Sequence, residues 1–163
     1  MMFGFSALYH RVNWKPKVLG LMRRLDHSSI FMMIAGTFTP ICLLVLPMAT
    51  GKNLLIIIWV IAGLGILQSI IFTNMPRLLR ASFYLGAGYL AIPYMSVMSS
   101  FMGYTNFALT VAGGTIYSVG AISYGFKFPD ISPKYFGFHE FFHLLVCIAA
   151  ILHFIVIYSI VGS

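Results

Sequence analysis

The segment HEFFH brings His139, Glu140 and His143 within five residues, at the head of an otherwise apolar run. On a helix, residues four apart share a face with their Cβ atoms about 6 Å apart, so both imidazoles can reach one ion. That spacing suits a zinc chelate. Two interfacial histidines bonded to headgroups or loops would show the same spacing. Far upstream, His10 closes the opening segment, Ser6 lies four residues before it, and Asp26 precedes the first long apolar stretch. Three imidazoles plus a water make an open tetrahedral site, the catalytic rather than the structural zinc pattern. Asp26 then has three readings: an outer carboxylate accepting from the water, a direct ligand, or the N-cap of the helix that follows. Ser6 would hydrogen-bond the water or a substrate carbonyl, or simply fill a packing position.

HEFFH also fits HExxH, in which two histidines bind zinc and the glutamate is the general base of a metalloprotease. Glu140 is turned about 100° from His139 on a helix of 3.6 residues per turn. A direction towards basic residues such as Arg23 and Arg24 is favoured, because Asp26 already offers a carboxylate. His27 competes with Asp26 as a ligand, but one step along a helix it points elsewhere, and interfacial packing is the expectation. Cys147 continues the His139 and His143 stripe; a small apolar role is favoured for it. His153 falls mid-span, where ionisable groups are rare and often functional. It lies off the metal stripe, so an interhelical hydrogen bond is expected.

These residues need apolar scaffolding to position them. The 163-residue chain is 60% hydrophobic and only 8% charged, against about a quarter charged in soluble domains. It reads as an all-α, polytopic membrane helix bundle forming a single domain over residues 1–163. A net charge of +7 raises nucleic acid as a partner, but the ten Lys and Arg are dispersed through short gaps rather than gathered on a face. They serve better as topology signals. The two cysteines, Cys42 and Cys147, both lie in apolar runs, which excludes a disulfide framework or a CxxC metal knuckle.

Five segments reach the roughly 20 apolar residues needed to span a bilayer core: 28–47, 54–72, 82–101, 107–125 and 138–160. Short connections join them as antiparallel neighbours. Arg11, Lys15, Lys17, Arg23 and Arg24 precede the first, Arg77 and Arg80 follow the second, Lys127 and Lys134 follow the fourth, and only Lys52 lies on the other side. The first, third and fifth spans therefore begin in the cytoplasm. His10, Asp26, His139 and His143 then share one membrane depth. Pro40 and Pro93 are expected to kink their helices. Gly36, Gly63, Gly65, Gly86, Gly88, Gly113, Gly114 and Gly120 are expected to let backbones approach closely.

The opening residues 1–10, MMFGFSALYH, lack the basic region and cleavage site of a signal peptide. As a helix they would cover about 15 Å, half a membrane. The expectation is a stub of a longer helix with another before it; the other reading is a helix lying along the interface.

In this order and spacing, SALYH, RRLDHSSIFMMIAGTFTP, GGTIYSVGAISY and FGFHEFFH resemble the hemolysin III family of bacterial membrane proteins. That family is grouped with the progestin and adipoQ receptors and the alkaline ceramidases as membrane hydrolases. The resemblance covers nearly the whole chain. It implies a seven-helix bundle, here lacking the first helix and most of the second, in a bacterial inner membrane. It also implies zinc near the cytoplasmic side, held by the residues matching His10, His139 and His143, with Asp26 and Ser6 close by.

The expected activity is zinc-dependent hydrolysis of a lipid amide or ester, with membrane lipids as partners, Asp26 activating water and Ser6 supporting the oxyanion. The alternative is a cytolytic, pore-forming channel protein with a structural metal; no span carries a repeated polar stripe, which argues against a wide pore within one chain. A receptor lacks a partner-binding domain in this sequence, and an intramembrane protease rests on HExxH alone.

Overall fold

The computed structural model describes residues 2–132 and 136–162, so Lys134 lies outside the described residues. Its elements are α1 (Met2–Arg11), α2 (Pro16–Pro40), α3 (Met48–Ile71), α4 (Arg77–Tyr89), α5 (Met95–Phe101), α6 (Tyr104–Phe126) and α7 (Phe138–Val161). Among the described residues the one departure from helix and loop is an isolated antiparallel bridge between Ser132 and Phe136. Four helices are long and apolar enough to cross a membrane: Pro16–Val45, Met48–Ile71, Tyr104–Phe126 and Phe138–Val161. The chain is a polytopic helical membrane protein.

Three expected helix starts move by several residues, α3 among them, at Met48 rather than residue 54. α2 starts at Pro16 rather than at residue 28, because proline at the first helical position lacks only an N–H that would be unbonded anyway. Its basic first turns, which resemble a loop in composition, are helical. Asp26 therefore lies well inside α2 and is not an N-cap. α4 likewise starts at Arg77, directly after Pro76, rather than at residue 82.

The two prolines act differently. After Pro40 the backbone stays helical but widens into a π-helical turn, Ile41–Val45, which accommodates the missing N–H within one continuous span. Pro93 lies in a 3₁₀ turn, Ile92–Tyr94, that separates α4 from α5. The third expected span is thus two shorter helices. They still traverse the bundle: Arg80 at the start of α4 touches His27, whereas α6 begins at the opposite end, where Asn106 bonds Ser159 across to the end of α7.

α6 packs chiefly on α7, α2 on α3, α4 on α6 and α1 on α2. Phe31, Ile41, Leu54, Ile58, Met98 and Val156 are fully buried among them. The Phe31 ring occupies the place a side chain at Gly65 would take, and the His153 ring does the same at Gly113. Gly120 meets Leu145 at ordinary contact distance. Gly36, Gly63, Gly86, Gly88 and Gly114 face open space, so close approach explains only part of the glycine pattern.

α1 packs on α2 and buries Met2 and Ser6. Its last turn, the early part of α2, the α3–α4 loop and the starts of α4 and α7 meet at one end. Arg11, Lys15, Lys17, Arg23, Arg24, Arg77, Arg80 and Lys127 belong to that end by topology, and Lys52 to the other.

Candidate metal centre

α7 starts at Phe138, and its first turn presents His139 and His143 on one face. α1 ends with His10 in its last turn. His10 Nε2 lies 3.2 Å from His139 Nε2, which lies 3.1 Å from His143 Nε2. The three rings form a cluster with centroids 4.6 to 5.5 Å apart. Each offers one nitrogen to a common point, with all three nitrogens within 4.8 Å of one another.

The donor set fits a metal ion better than it fits hydrogen bonds alone. A neutral ring nitrogen carries either one hydrogen or one lone pair. His139 Nε2, flanked by two other Nε2 atoms, can therefore make one good hydrogen bond and not two. A cation accepts from all three lone pairs. Nitrogens about 2.0–2.1 Å from a tetrahedral zinc stand roughly 3.3 Å apart, close to the separations in this cluster.

Asp26 and Ser6 are both buried, and both line the same cavity as His10. Asp26 does not join the three converging nitrogens, so it occupies an outer position rather than a ligand position. Ser6 has a single hydrogen to give, so it can orient the Asp26 carboxylate or support an oxyanion, but not both at once.

The remaining sequence candidates separate from the centre. Glu140 is exposed and accepts from the Gly137 N–H at 3.0 Å, capping its own helix, and it is not among the three converging ligands. His27 Nε2 stands 3.0 Å from the Arg80 guanidinium, which can only donate; that nitrogen is an acceptor already engaged. His153 stacks on Tyr117 of α6, and its hydrogen bond, to the Ala149 carbonyl at 2.9 Å, stays within α7 rather than crossing to another helix as expected. Cys147 is a free, half-buried thiol outside the cluster.

The three histidines and Asp26 line one end of a cavity of about 760 Å³, within the range of small-molecule pockets. The cavity continues between the helices past Ile34, Leu85 and Val146 to Met98 and His153. His153 lies about 21 Å along α7 from His139 at 1.5 Å per residue. Gly88 and Gly114, whose missing side chains leave open space, both line it. Sequence reasoning treated Arg23, Arg77 and Arg80 as topology signals and overlooked Tyr84 and Tyr124, yet all five line this cavity. The recurrence of Arg77, Arg80 and Tyr84 at helical spacing was the available signal.

Hemolysin-3 of Bacillus cereus is 40% identical over 124 residues, covering 75% of this chain and 55% of the relative. The Hemolysin-3 homolog of Bacillus subtilis (strain 168) is 37% identical over 122 residues, covering 75% and 57%. The human Monocyte to macrophage differentiation factor is 26% identical over 162 residues, covering 97% and 65%. The matches thus span little more than half the length of the two bacterial relatives. No solved structure matches the chain. The family model described as Haemolysin-III related matches residues 1–154, from the helix that carries His10 through the one that carries His139 and His143, and the chain belongs to that family.

Proposed function

We propose that this protein is a metal-dependent membrane hydrolase that cleaves an amide or ester bond of a lipid, with His10, His139 and His143 as zinc ligands. One observation carries the reading: three imidazole nitrogens from opposite ends of the sequence converge beside a buried carboxylate, at one end of a long cavity lined largely by apolar side chains. A structural metal alone would not require the cavity.

A zinc ion held there supplies Lewis acidity, polarising a carbonyl and making water acidic near neutral pH. Asp26 accepts the proton from the attacking water and passes it to the leaving group. Ser6 holds the carboxylate in place through its hydroxyl. The cavity receives the hydrocarbon chain and excludes water around the scissile bond. The excess of basic residues at the histidine end supports a cytoplasmic position for it under the positive-inside rule, in a bacterial inner membrane on this reading.

The test is fatty-acid release by the purified protein from ceramide-like and phospholipid substrates, with His139→Ala alongside. Release by the parent and not by the variant supports the proposal; equal release by both overturns it.

A second reading comes from the name Hemolysin-3 carried by the bacterial relatives. In it the chain is cytolytic and the metal ties helix ends together. Dye leakage from liposomes that persists after all three histidines are replaced, with no hydrolysis by the parent, favours that reading.

A further inference from the structure

Arg80 is 9% exposed and lines the cavity. Its guanidinium donates to His27 Nε2 at 3.0 Å, the Thr73 carbonyl at 3.3 Å and the Met75 carbonyl at 3.0 Å. All three acceptors are neutral, and they engage three of the five N–H groups a guanidinium carries. Arg23 lines the same wall and bonds Tyr9 Oη at 3.4 Å and Asn74 Oδ1 at 3.4 Å, again neutral groups. Arg77, also on the wall, lies 5.5 Å from the centroid of the Phe138 ring.

The chain has three acidic residues in all. Glu140 is engaged at Gly137, and the Asp130 carboxylate sits against the same glycine. Among the described residues Asp26 is the one carboxylate on the cavity wall. Three guanidinium charges against one carboxylate leave that end of the cavity with two uncompensated positive charges before any metal binds. The positive-inside rule accounts for the side on which these arginines lie. It does not account for the burial of Arg80, since a buried cation is stable only with a counter-charge and satisfied donors.

We propose that Arg23, Arg77 and Arg80 bind the phosphate group of a phosphate-bearing lipid whose hydrocarbon chain fills the cavity. This rests on the lipid-hydrolase reading and narrows its substrate class from neutral to anionic lipids. Guanidinium N–H groups make charge-assisted hydrogen bonds to phosphate oxygens, and Arg80 keeps two of its five donors for them. The hydrocarbon-lined interior selects a lipid over free phosphate, although both present the same oxygens to the arginines.

The experiment measures binding of a fluorescent phosphatidic acid and of the matching diacylglycerol to the purified protein in phosphatidylcholine nanodiscs. The proposal expects phosphatidic acid to bind about tenfold or more tightly, the effect of a charge-assisted hydrogen bond or two. Arg80→Gln and Arg77→Gln should each remove most of that preference. Arg77→Gln disturbs only a ring contact, so it reports even where Arg80→Gln misfolds. Lys15→Gln, an exposed residue outside the cavity, should leave the preference intact. Equal affinity for the two lipids, a preference unchanged by Arg77→Gln, or an equal loss in Lys15→Gln overturns the site. Inorganic phosphate that displaces the lipid at equal concentration assigns the site to the free anion and overturns the lipid assignment. Fatty-acid release from the same samples is read separately: an intact binding preference without release upholds the headgroup site and defeats the hydrolase reading.

Discussion

His10 and His139 are 129 residues apart in sequence, yet their Nε2 atoms lie 3.2 Å from each other. The contact joins the last turn of α1 to the first turn of α7, so it exists only once the whole bundle has closed. It places a shared lone-pair focus beside Asp26, and the chemical predictions below depend on that geometry.

Asp26 stands outside the ligand cluster but lines the same cavity as Ser6 and His10. Asp26→Asn keeps the shape and removes the proton acceptor. Hydrolysis should fall by about 10²–10⁴-fold, the usual weight of general-base catalysis, with metal content unchanged. Metal analysis beside the rate measurement separates the two roles, since loss of the metal would make Asp26 a direct ligand.

Glu140 caps α7 and is not one of the three converging ligands. Glu140→Ala should cost about 0.3–1 kcal/mol of stability, the scale of a charge at a helix N-terminus, and leave hydrolysis within a few-fold of the parent. A drop of several hundred-fold would restore the HExxH reading in which this glutamate is the base.

Gly114 lines the cavity and has room for a side chain. Gly114→Leu should therefore fold normally and shorten the space open to a hydrocarbon chain. Turnover of long-chain substrates should fall relative to short-chain ones while metal content stays constant. An equal effect on both lengths would show that the chain lies elsewhere.

Gly65 and Gly63 are two residues apart on α3 and respond oppositely to a methyl group. At Gly65 the added Cβ collides with the Phe31 ring in the core, whereas at Gly63 it meets nothing. Gly65→Ala should destabilise by about 1–3 kcal/mol, as overpacked cores do, and Gly63→Ala should not. Thermal unfolding in detergent reads both.

Much of this was legible in the sequence. Residues four apart fix a shared helix face, so His139 and His143 declared themselves; the alternation of basic loops then brought His10 to the same end. Boundaries were harder, because Lys17, Arg23 and Arg24 look like loop residues although Pro16 starts a helix ahead of them. That error alone produced the N-cap reading of Asp26. Pro93 was expected to kink a helix and instead lies in the 3₁₀ turn that divides it. The burial of Arg80 was not legible at all. It depends on the α3–α4 loop turning its Thr73 and Met75 carbonyls towards the guanidinium, and no local pattern records such a tertiary contact.

Metal analysis of the purified protein, carried out together with His10→Ala and His139→Ala, tests the central claim most directly. The account predicts about one zinc per chain in the parent, bound through nitrogen ligands in its X-ray absorption spectrum, and its loss from either variant. Parent protein devoid of metal after zinc loading, or variants that keep the full complement, would contradict it.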